Sequence, residues 1–107
     1  MTPQEAHKII AEFMGLKIAE SVNGLRIEKP CGCNYWATKF SESLDSLVPV
    51  WERLDVCYLK TNFTLGNYVE LIASDNNGEP VKVGWNADTI QEAACIATAK
   101  CIEALNG

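Results

Sequence analysis

No stretch of this sequence approaches the roughly 20 consecutive apolar residues that a membrane-spanning helix needs. Its N-terminus, Met1-Thr2-Pro3-Gln4-Glu5, lacks the basic, then apolar, then small-residue order of a secretory leader. The expectation is a protein that stays where it is made, in the cytoplasm, with no membrane partner. Basic residues are few and scattered: nine Lys and Arg face fourteen Asp and Glu, for a net charge of −5. A phosphate-binding surface needs clustered cations, so nucleic acid is disfavoured as a partner. There is one histidine, His7. The patterns G-x-G-x-x-G, G-x-S-x-G and H-E-x-x-H do not occur. No cofactor is therefore expected.

What is present suits one folded domain, residues 1–107, because 48% apolar and 21% charged residues are ordinary values for a globular chain. Five cysteines, at 31, 33, 57, 95 and 101, are an odd count without an export signal, which argues against a disulfide framework. Cys95 and Cys101 read as small hydrophobes on a helix.

Along the chain, Thr2, Pro3 and Glu5 form a capping box with a proline start. Ala6, Ile9, Ile10 and Phe13 recur at helical spacing, and Gly15 is the stop. Asn23-Gly24 between two short alternating runs predicts a β-hairpin over 16–29. Pro30 breaks it, and residues 30–42 read as a loop. A second helix is expected at 46–54, with Pro49 in its first turn. Three strands follow, at 56–65, 68–74 and 81–85, the last two paired antiparallel across a turn-rich segment. Asp88 is the expected cap of a closing helix whose stripe is Ile90, Ala94, Ala97, Cys101 and Leu105. The order is α-ββ-α-βββ-α, an α+β fold with about five strands in one largely antiparallel sheet covered by helices.

Candidate sites are sparse. Cys31-Gly32-Cys33 offers two thiolates to a metal, but a structural zinc site takes four ligands and no second pair is evident. His7 reads as a helix-surface residue. Asn34, Tyr35, Trp36 and Phe40 group aromatics with an amide, suited to a pocket or an interface as well as to closing the core. Ile96 and Ile102 fall outside the stripe of the last helix and are expected to meet other helices or a second subunit. Glu70, Asp75, Glu79 and Asp88 lack the spacing of a calcium loop.

Three segments together carry a resemblance: Ile10-Ala11-Glu12-Phe13-Met14-Gly15, Phe40 through Leu54, and Ala93 through Leu105. They resemble small phage and prophage proteins grouped as the phage ABA sandwich domain. Those open with a helix ending in Met-Gly, carry a middle helix with Pro-Val, and close on an Ala-rich helix. The Cys31-Gly32-Cys33 loop and Trp51 depart from the pattern. The resemblance implies a three-layer α/β/α sandwich and no activity, so no catalytic residues carry over. Three functions follow as expectations. The first is a phage accessory protein that binds a protein partner through Tyr35, Trp36, Ile96 and Ile102, with a homodimer as a further possibility. The second is a binder of nucleotide-like small molecules that counters a host defence. The third is an enzyme with Cys31 or Cys33 as nucleophile and Asn34 or His7 as helper.

Overall fold

The structure is a computed structural model that describes residues 1–21, 24–28, 34–36, 39–62, 66–75 and 77–106. Of these, residues 17–21, 24–28, 34–36, 39, 57, 62 and 106 are described by their backbone.

Helix α1 spans Pro3–Phe13. Thr2 caps it, its Oγ1 accepting the Glu5 N–H at 3.3 Å, and Pro3 fills the first helical position. Gly15, at φ +68°, ends it. The Gly15 N–H donates to the Glu12 carbonyl and the Leu16 N–H to the Ala11 carbonyl, both at 3.0 Å. That pair of hydrogen bonds is a Schellman motif, and it requires the left-handed residue that glycine supplies without strain.

Strands β1 (Lys17–Ser21) and β2 (Gly24–Glu28) pair antiparallel as the hairpin predicted over 16–29, with Ile18 opposite Ile27. The Asn23 half of its turn lies outside the described residues. The segment 30–42 is not the loop expected from its breakers. Asn34–Trp36 is a strand, β3, antiparallel to β2 with Tyr35 opposite Ile27. Lys39–Glu42 is a short helix, α2. A 3₁₀ turn at Leu44–Leu47 then leads into α3, Val48–Leu54, with Pro49 in its first turn.

Strands β4 (Val56–Asn62), β5 (Asn67–Ser74) and β6 (Pro80–Ala87) form a second antiparallel sheet in that order. One sheet of about five strands was expected. The described strands form two sheets of three, because the helical segment between β3 and β4 separates them. Alternation in β5 buries Val69, Leu71 and Ala73 on one face. Helix α4, Ile90–Asn106, lies over β5 and β6 on that face. The outer face carries Tyr58, Lys60, Glu70, Lys82 and Asn86, and no second helical layer is seen on it among the described residues.

Helix α4 is the centre of the core. Ala93, Cys95, Ala97, Thr98, Ala99 and Cys101 are all fully buried. It meets the sheet on one side and α1, α2 and the 3₁₀ turn elsewhere on its surface. A helix apolar all round is a buried helix, and its alanines let neighbours approach closely. Its N-terminal cap is Thr89, whose Oγ1 accepts the Glu92 N–H at 3.1 Å, one residue later than the expected Asp88. No described helix is long and apolar enough to cross a membrane.

Candidate functional site

The Schellman turn after α1 leaves Met14 and Leu16 on either side of Gly15, half-buried and facing the segment that carries α2 and α3. There they enclose a cleft of about 230 Å³ with Phe40, Asp45, Ser46, Pro49 and Val50. Phe40 and Val50 are the buried part of the lining, 5% and 1% exposed; Asp45 and Pro49 are exposed at the rim. Ser46 is held by its own turn, its Oγ donating to the Ser43 carbonyl at 2.6 Å. The lining is apolar apart from Asp45 and Ser46, and it contains no cation. Such a site can take an apolar side chain and give one hydrogen bond or ion pair at its edge. Met14 adds an adaptable thioether wall.

Beside the cleft, α2 sets Ser41 against α1. His7 Nε2 and Ser41 Oγ are 2.7 Å apart. His7 is 4% exposed, so the helix-surface position expected for it is corrected: it points between the helices. Burial lowers its pKa from 6.5, and the nearby Glu42 carboxylate opposes that shift. The imidazole is neutral at neutral pH. Among the described residues Ser41 is its hydrogen-bond partner, and no carboxylate orients the other ring nitrogen as in a catalytic triad. The pair reads as a clamp between α1 and α2.

The residues singled out from the sequence are dispersed. Asn34, Tyr35 and Trp36 form the edge strand β3. Phe40 is buried and lines the cleft. Ile96 and Ile102, expected to meet other helices or a second subunit, are 3% and 2% exposed and belong to the core, so neither is open to a partner, because α4 is covered on more than one side. Cys31 and Cys33 lie outside the described residues, and no group of metal-ligating side chains is found among the described ones. Burial, with the charge of Glu92 second, pushes the Cys95 thiol up to about 12, and burial raises that of Cys101. Both are core thiols, not nucleophiles. Met14, Leu16, Asp45 and Pro49 escaped notice as site residues. Their signals, a helix stop and a helix start, were read for structure alone.

No family model matches the chain, and no curated protein matches it. The fold belongs to the class of small α+β proteins with antiparallel sheets and a buried closing helix. In particular, it is similar to that of a phage protein from Bacillus cereus ATCC 14579, known from a 2.0 Å crystal structure. The TM-score is 0.64 at 18% identity, over 96% of this chain and 89% of that one. The likeness is one of fold.

Proposed function

We propose that this is a phage accessory protein that acts by binding a protein partner, taking an apolar side chain of that partner into the cleft beside Gly15. The observation that carries this reading is the lining itself: Met14, Leu16, Phe40, Pro49 and Val50 around a small apolar space, with Asp45 at the rim. Interface anchors are apolar or aromatic side chains that fill such pockets. A nucleotide-like ligand fits less well, since the cleft offers no basic group to a phosphate and is smaller than the usual ~300–1,000 Å³ of small-molecule sites. The edge strand Asn34–Trp36 is a second contact in this reading.

The test is affinity capture from lysate of the natural host with wild type, Met14→Asp and Asp45→Lys. A partner recovered in stoichiometric amount with wild type and lost with both variants supports the cleft. Capture unchanged in both, with circular dichroism showing intact folds, overturns it.

A further inference from the structure

The turn that joins β5 to β6 carries an exposed Asn-Gly pair, Asn77-Gly78. In such a pair the glycine's backbone nitrogen can attack the asparagine's side-chain amide carbon, with no side chain to hinder the approach. Gly78 has φ +80°, a left-handed conformation that other residues adopt only under strain, so the turn holds glycine there. A Cβ at this position would meet nothing within 4 Å beyond its chain neighbours. The nucleophile is in open space.

The same turn ties that nucleophile down. The Gly78 N–H donates to the Asp75 carbonyl at 3.0 Å, and the Asp75 N–H donates to the Glu79 carbonyl at 2.9 Å. Asp75 Oδ1 accepts the N–H of Asn77 at 2.8 Å and that of Glu79 at 2.9 Å. These four hydrogen bonds fix the backbone on both sides of Asn77, and Asp75 is a partner in every one. Ring closure needs the Gly78 nitrogen to shed its proton and swing toward Asn77 Cγ, which breaks its bond to Asp75.

We propose that Asn77 is a site of self-modification with Asp75 as its lock: the asparagine deamidates when the turn opens and is held unreactive while it is closed. In the reaction the Gly78 nitrogen bonds to Asn77 Cγ, the Cγ–Nδ2 bond breaks, and ammonia leaves carrying the proton that the nitrogen gave up. Water from solvent then opens the succinimide ring to aspartate or isoaspartate at position 77. No oxidant, reductant or cofactor enters. Either product adds a carboxylate to a turn that already holds those of Asp75 and Glu79. Isoaspartate also adds one backbone atom to a turn whose length sets Ser74 opposite Pro80. The change is one-way, so it marks molecules whose β5–β6 turn has opened. Such local openings are cheaper than global unfolding at exposed turns.

Peptide mass spectrometry after incubation at mildly alkaline pH tests this, following replacement of the amide by a carboxyl localised to residue 77. Folded wild type is expected to react at least about tenfold more slowly than the same chain unfolded in guanidinium. Asp75→Ala is expected to lose most of that protection, and Asp75→Asn, which keeps an acceptor oxygen, to retain it. Circular dichroism checks that both variants fold. Amide hydrogen exchange on the wild type is the second measurement and needs no variant: the Gly78 N–H is expected to be protected. Equal rates in the folded and unfolded wild type overturn the proposal. So does a folded Asp75→Ala that reacts as slowly as wild type, an Asp75→Asn no slower than Asp75→Ala, or a Gly78 N–H that exchanges freely. The assay needs no host partner, so its failure is separate from any failure of the cleft reading.

Discussion

The indole N–H of Trp51 donates to the hydroxyl of Thr98 at 2.9 Å, and that hydroxyl donates in turn to the Ala94 carbonyl at 2.6 Å. Thr98 is fully buried in α4, so its oxygen has no recourse to water. The relay is the polar tie between α3 and the central helix, and it fixes α3 at the wall of the cleft. Thr98→Val preserves shape and removes the acceptor. It should cost about 1–2 kcal/mol, since the Trp51 donor is left without its partner. Urea unfolding checks it. Adding Trp51→Phe should cost less than the sum of the two singles, because the bond is already gone.

The His7–Ser41 clamp predicts acid sensitivity. Burial holds the folded pKa of His7 below 6.5, its ordinary value, which we take for the unfolded chain. As pH falls through 6.5, the unfolded chain takes up a proton that the folded one refuses. Stability therefore declines with falling pH, and continues to do so until the folded pKa is reached. Urea titrations stepped from neutral to mildly acidic pH should show this slope, and His7→Gln should flatten it. An unchanged slope in that variant would assign the acid response to carboxylates instead.

Gly84 and Tyr68 predict a conditional effect. They sit diagonally on the outer face of β5 and β6, and a Cβ on Gly84 would overlap the Tyr68 hydroxyl and ring. The tyrosine covers the glycine and reaches toward Glu70, its hydroxyl 3.5 Å from Oε2, while Glu70 pairs with Lys82 at 3.2 Å. Aromatic cover of an edge-strand glycine is a known stabilising device. Gly84→Ala should displace the ring and cost about 1 kcal/mol. In a Tyr68→Ala background the same change should stabilise, since alanine suits a strand better than glycine. Thermal melts of the four proteins decide the matter.

Much of the fold was legible because its signals are local. Thr2, Pro3 and Gly15 announced α1, and the turn formers at 75–80 announced the β5–β6 pairing. The segment 30–42 was misread because a three-residue strand and a four-residue helix are too short for any periodicity to show. Asp88 and Thr89 are both good caps, and only the approach of Thr89 to the Glu92 N–H separates them. For Ile96 and Ile102 the choice between other helices and a second subunit was open for a different reason. Their lack of stripe was real, but what it reports is a helix covered on several sides, which depends on the rest of the chain. The cleft has no sequence signature at all: it arises where the end of α1, at Phe13, meets the start of α3, at Val48.

The helix that anchors the core is also made after all the other elements. Until residues 90–106 leave the ribosome, α1 has α2 and the first hairpin to pack on, but the inner face of the second sheet lacks its helical cover. The inner face of β5 therefore stays uncovered until the last element arrives. Completion of this core joins elements distant in sequence, and such contacts close slowly.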